Sequence, residues 1–251
     1  MIAALVACVA GFAVFLSLAL WVARNGGGKS RAVSDGRRVE YAAVPYMDSE
    51  GDKNEDAESP TAKVPSFPAS DSEFVRVTDY APHIRVDLKY AGKRNFTGKR
   101  IYDFGDAWLR CGTVKKLLKA QQALEQYGMG LAVWDAFRPV EAQQILWEVC
   151  PNPLYVTDPS KGYSDHVRGN AVDVTLVDAD GTEMLMPTGF DNFTKLADRD
   201  YSDIEDKFAK DNVKLLEKVM KKSGFKTYAE EWWHFTDTTE YEPALDFVPE
   251  S

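Results

Sequence analysis

The 251-residue chain contains only three histidines, His83, His166 and His234. Two of them stand in segments that read as halves of a metal site. One is Ser164-Asp165-His166-Val167-Arg168-Gly169-Asn170-Ala171-Val172-Asp173, with six residues between a histidine and an aspartate; the other is Glu230-Glu231-Trp232-Trp233-His234. Two imidazoles and one carboxylate are three protein ligands that leave a zinc ion one open position. A carboxylate beside that position, Glu231, has the chemistry to take a proton from the water held there. Each piece has a plainer reading: a hydrogen-bonded loop histidine, a surface carboxylate, two core tryptophans. Their pairing is what points to a metal. Positions three apart on a straight strand face opposite ways, so Glu231 and His234 can share a site only across a bulge or a strand end.

A third segment, Trp134-Asp135-Ala136-Phe137-Arg138-Pro139, lies where a strand gives way to a helix. A fixed guanidinium there can donate to a carbonyl oxygen as it becomes negative, a role whose paired donors suit arginine better than lysine. The plainer reading of Arg138 is an ordinary salt bridge.

The elements that must position these groups show in the periodicity. Val114, Leu117, Leu118 and Leu124 recur at helical spacing, with Gly128 and Gly130 as the stop signals. Leu131-Ala132-Val133-Trp134 reads as a short buried strand, and Pro139 opens a helix over Val140 to Val149. Val172, Val174 and Leu176 alternate with Asp173 and Thr175, which places Asp173 on a strand with a greasy opposite face. Val213, Leu216, Val219 and Met220 form a third helical stripe closed by Gly224. In Gly169 the chain has a residue suited to a tight turn that brings His166 back over the strand of Asp173. Helices mixed irregularly with short strands predict an α+β domain, a small central antiparallel sheet flanked by helices.

Composition bounds the rest. With 45% apolar and 12% aromatic residues the chain can bury a substantial core. Its net charge of -9 opposes a phosphate backbone, so nucleic acid is not an expected partner. The cysteines, Cys8, Cys111 and Cys150, form no CxxC pair. A Cys111–Cys150 disulfide is possible in an exported domain; buried thiols are the plainer reading.

Residues 1–23 carry no charged side chain and as a helix would span the roughly 30 Å core of a bilayer, as an anchor or an export signal. Arg24, Lys29, Arg31, Arg37 and Arg38 follow it, which by the positive-inside rule places what comes after in the cytoplasm. The missing basic residue ahead of the apolar run leaves both cleavage and sidedness open. Residues 24–68, rich in Gly, Ser, Asp, Glu and Pro, are expected to be a flexible polar linker, and residues 69–251 the catalytic domain.

The motifs Ser164-x-His166-x-x-Gly169-x-Ala171-x-Asp173, Glu231-Trp232-Trp233-His234 and Asp135-Ala136-Phe137-Arg138-Pro139, with Asn95-Phe96-Thr97-Gly98-Lys99 ahead of them, resemble those of the D-alanyl-D-alanine dipeptidases of the vancomycin-resistance type, in the same order. The resemblance implies one zinc ion per chain on His166, Asp173 and His234, with Glu231 as general base and Arg138 stabilising the tetrahedral intermediate. It further implies that Tyr90, Ser164 and Asp191 hold a small D,D-dipeptide, the Asp191 carboxylate suiting its ammonium. Asp165, where the family has a small polar residue, and a shorter stretch from Arg138 to Ser164 bear on substrate length. The alternatives are a D,D- or L,D-carboxypeptidase trimming peptidoglycan stem peptides and a non-catalytic zinc domain binding cell-wall peptides. Oligomeric state is not legible.

Overall fold

The computed structural model describes residues 66–67 and 70–250, together with the backbone of two strands, β1 (Lys29–Ser34) and β2 (Arg37–Ala42). These two pair antiparallel and belong to a unit of their own, residues 1–43. The hairpin falls inside the tract read as a flexible linker, and the apolar segment 1–23 lies outside the described residues. Among the described residues no helix is long and apolar enough to cross a membrane.

From residue 70 on, the chain forms β3 (Phe74–Arg76), α1 (Val77–Tyr80), β4 (Arg85–Val86), β5 (Trp108–Arg110), α2 (Cys111–Glu125) and β6 (Met129–Asp135). Then come α3 (Val140–Val149), α4 (Asp165–Arg168), β7 (Ala171–Asp178), α5 (Lys207–Ser223), β8 (Phe225–Tyr228) and β9 (Glu231–Asp237). Strands β3 and β5 make a small antiparallel pair, while the central sheet has the order β4-β6-β7-β9-β8. It is not wholly antiparallel as expected. At one edge β4 runs parallel to β6, because the chain passes between them through α2, the crossover a parallel pair requires.

The helices form where the local chemistry supports them. Helix α5 starts at Asp206, whose carboxylate accepts from the Phe208 and Ala209 N–H groups at 2.8 and 2.9 Å, and stops at Gly224, which takes the left-handed conformation at φ +104°. Helix α3 follows Pro139, the residue at its N-cap. The first helical stripe ends at Glu125, before Gly128; Gly130 is instead a strand residue of β6, against whose missing Cβ the Gln121 amide packs.

Along β7 the two faces differ sharply. Val172, Val174 and Leu176, with their cross-strand partners Phe235, Val133 and Leu131, are fully buried on the side covered by α2 and α5. Asp237 on that side accepts from Thr113 and Lys116 of α2, fixing helix to sheet. Burying each such aliphatic side chain contributes about 1.5–3 kcal/mol. The opposite face presents Asp135, Asp173 and His234. Cys111 and Cys150 are not joined by a disulfide.

Between α4 and β7 the chain reverses at Gly169, φ +74°, where an added Cβ would fall 2.3 Å from the Phe74 ring. Phe74 is itself stacked on Phe247 and edge-on to Phe137, so it has little room to yield. Gly169→Ala should therefore cost about 2 kcal/mol or more in stability, combining left-handed strain with the clash. Chemical denaturation of variant and parent measures it; an unchanged midpoint would show that the reversal tolerates a side chain.

Candidate metal centre and active site

His166 sits in the single turn of α4. Ser164 caps that turn, its hydroxyl accepting from the His166 N–H at 3.3 Å, and the Ser164 N–H donates to Gln143 at 3.1 Å. The Nδ1 atom of His166 lies 2.7 Å from the Ala136 carbonyl. A proton on Nδ1 makes that bond and leaves Nε2 with a lone pair for a ligand.

His234 is on β9 directly opposite Asp173 on β7, so both side chains stand on the same face. Its Nε2 is 3.1 Å from the Thr236 hydroxyl, which in turn donates to Asp165 at 3.1 Å. That fixes Nδ1 as the free electron pair. His166 Nε2 and His234 Nδ1 are 3.2 Å apart, and Asp173 Oδ1 lies 3.5 and 3.0 Å from them. A tetrahedral zinc with bonds of about 2.0–2.1 Å spaces its ligand atoms about 3.3 Å apart, so the donor set fits such an ion in number, type and spacing. Burial opposes charge on Asp173, yet the two imidazoles beside it hold its carboxyl below the usual carboxylate range. Burial pushes His234 down toward the neutral form in which an imidazole coordinates.

Two backbone irregularities complete the site. On β6 the register slips between Val133 and Asp135, so that Asp135, not Trp134, faces Asp173. Asp135 is wholly buried and accepts from Arg138 Nε and Nη2 at 3.1 and 2.6 Å, from the Tyr102 hydroxyl at 2.8 Å and from the Ala136 N–H at 2.9 Å. Arg138 is thereby held rigid and buried, with Nη1 the part of its fork not engaged by Asp135. The salt bridge that was the plainer reading of Arg138 is thus present, and it serves to aim the guanidinium. On β9 the ladder jumps from Thr227–Phe235 to Tyr228–Glu231, the bend that lets Glu231 and His234 line one cavity.

That cavity, about 250 Å³, is bordered by Arg138, His166, Asp173, Glu231 and His234, and also by Tyr90, Ser164 and Asp191. All eight residues singled out in the sequence therefore meet at one place. Glu231 is buried, and its carboxyl is pushed well above the ordinary range by that burial and by Asp173 and Asp191 nearby. The Tyr90 hydroxyl donates to Asp191 at 3.1 Å and its ring lies 5.3 Å from the Arg138 guanidinium. Asp191 adopts φ +57°, unusual for a residue with a side chain, and also accepts from the Phe96 N–H at 3.2 Å. Burial raises its carboxyl to about 7. Residues 153–157 run along the far rim, where the Tyr228 hydroxyl donates to the Leu154 carbonyl at 3.0 Å.

Sequence reasoning missed three groups whose hydrogen bonds reach residues of the site. Asp135 was visible in its motif but not as the anchor of Arg138, and Thr236 is two residues past His234, the spacing that keeps it on the same face. Arg199, in the loop before α5, gave no signal at all.

Residues 70–247 match the family described as D-ala-D-ala dipeptidase. A D-alanyl-D-alanine dipeptidase of Escherichia coli K12 is 36% identical over 164 residues, 65% of this chain and 84% of that protein. One from Enterococcus faecium is 32% identical over 182 residues, 64% of this chain and 90% of that protein; one from Streptomyces coelicolor is 32% identical over 199, with 70% and 96% covered. A solved structure of a mutant of the vancomycin resistance D,D-pentapeptidase VanY in complex with Zn(II) aligns over 55% of this chain and 76% of its own, at 19% identity and a TM-score of 0.36, too slight a likeness to bear on the site. The match over most of the folded residues settles the matter of kinship: this chain belongs to the D-Ala-D-Ala dipeptidase family.

Proposed function

We propose that the protein is a zinc metallopeptidase that hydrolyses D-alanyl-D-alanine or a close relative, in cell-wall peptide metabolism or glycopeptide resistance. The observation that carries this reading is the meeting of the His166–Asp173–His234 triad with Glu231 and Arg138 around one small cavity. One zinc ion per chain, held by the triad, would supply Lewis acidity and lower the pKa of a bound water. Glu231, whose proton affinity is raised by burial and neighbouring carboxylates, is suited to accept the proton of the attacking water and pass it to the leaving amine. Arg138, braced by Asp135, offers a fixed donor to the oxygen on which negative charge develops. Asp191, held by the Tyr90 hydroxyl, gives the substrate ammonium an anionic partner.

A cavity of about 250 Å³ has room for a dipeptide, and the dipeptidase family match supports that substrate over the stem peptides of a carboxypeptidase. The presence of both Glu231 and Arg138 at the cavity speaks against a purely binding role. The charge-free residues 1–23 support membrane association of the chain; protease accessibility in intact cells decides the side.

Turnover of free D-Ala-D-Ala with and without a chelator, beside a stem pentapeptide, tests the reading directly: hydrolysis confined to the dipeptide and lost with the metal is expected, and metal-free turnover would overturn it. Metal analysis should return one zinc per chain. Glu231→Gln should retain that zinc while kcat falls by about 10²–10⁴-fold, the range for losing a general base; retained activity would reject Glu231 in this role.

Protonation of Asp191 removes the charge that would hold an ammonium. With its carboxyl raised to about 7, kcat/KM should fall as the pH drops through that value, and Asp191→Asn should lower kcat/KM and flatten that limb. A pH–rate profile of the two proteins checks this.

A further inference from the structure

Between β8 and β9 the register passes over Trp232, Trp233 and His234, leaving main-chain carbonyls that the strand ladder does not engage. Buried carbonyls need partners. They find one in Arg199. Its Nη2 donates to the Trp232 and His234 carbonyls, both at 2.9 Å, and its Nε donates to the Tyr228 carbonyl at 2.8 Å. Nη1 donates to the Tyr201 hydroxyl at 3.2 Å and to Glu217 at 3.4 Å. The Arg199 N–H adds a bond to the Ala229 carbonyl at 2.9 Å. Every N–H of the guanidinium is thus used, the side chain is 8% exposed, and the Phe235 ring lies 4.5 Å from its centre.

The support behind Arg199 is equally specific. Tyr201 stands at φ +56°, a strained conformation for a bulky residue, and its hydroxyl donates to Glu217 at 2.5 Å. Glu217 belongs to α5, so the arginine is tied to the helix that covers the back of the sheet. The carbonyls it gathers flank the bend that brings Glu231 and His234 to one wall of the cavity.

We infer that Arg199 is a positioning residue for the proposed reaction, the brace that holds the irregular turn of β9 in the shape that aligns the base with the metal ligand. A plain salt bridge to Glu217 would need only a positive charge. Gathering three carbonyls from two strands needs the planar fork, which lysine lacks. The catalytic consequence rests on the dipeptidase reading; the bracing itself does not.

The test uses the full chain as Arg199→Lys, Arg199→Ala and Glu217→Gln variants, assayed at saturating zinc. Arg199→Lys should lose about 100-fold in kcat, as expected when a catalytic group shifts by about 1 Å, with KM changed by no more than about threefold because Tyr90 and Asp191 are held elsewhere. Glu217→Gln should lose less, and ethylguanidinium should restore part of the Arg199→Ala activity. Should Arg199→Ala fail to fold, Arg199→Lys carries the comparison. Amide hydrogen exchange supplies the readout free of turnover: exchange in residues 228–235 should rise in Arg199→Lys while β6 and β7 keep parental protection. Parental kcat and parental exchange in Arg199→Lys would overturn the inference. A parent chain inactive on D-Ala-D-Ala would reject the dipeptidase reading, and the exchange comparison would then decide the brace alone.

Discussion

A β-strand alternates its side chains between two faces, and the strand-borne groups of this site answer to that constraint. Asp173 and His234 satisfy it directly, as opposite residues of β7 and β9. Asp135 and Glu231 do not, since regular strands would turn Asp135 away from Asp173 and Glu231 away from His234. Each reaches the site through a local break in register, on β6 and on β9. The sheet thus gives rigidity where two candidate ligands face each other and gives up regularity where a third and a fourth group join them.

The electrostatics follow from that crowding. Asp173, Glu231, Asp191 and Asp135 converge on a region where Arg138 is the buried fixed cation. Like charges in low dielectric cannot all ionise cheaply, and the carboxyls separate accordingly. Asp173, between two imidazoles, stays anionic; Glu231 and Asp191 are pushed toward protonation. On the proposed reading, a divalent ion at the triad and an ammonium at Asp191 would relieve the two excesses.

Much of this was legible before any coordinates. Helix α3 follows from Pro139 and α5 from its stripe and Gly224, and the alternation around Asp173 gives both its strand and its buried reverse. The H-x6-D spacing with the distant histidine named the three residues that converge, because few residue types bind zinc and the chain has few histidines. Register was not legible. The slip that aims Asp135 depends on pairing with β7, nearly forty residues on, and no local pattern encodes it. Nor does anything local mark Arg199, whose contacts to β8 and β9 are with main-chain oxygens of two later strands. The parallel edge strand β4, two residues long, is too short to carry a periodic signal.

If the proposed function holds, Asp191 carries a consequence for selectivity. A carboxylate that lines a confined pocket, set there by a left-handed backbone turn, disfavours any occupant that fails to neutralise it. A free amino terminus satisfies it; an acylated one strands it. Discrimination between a loose dipeptide and the same two residues at the end of a wall peptide can therefore reside in one carboxylate whose charge only a cationic group offsets, operating even where the walls of the pocket would give way.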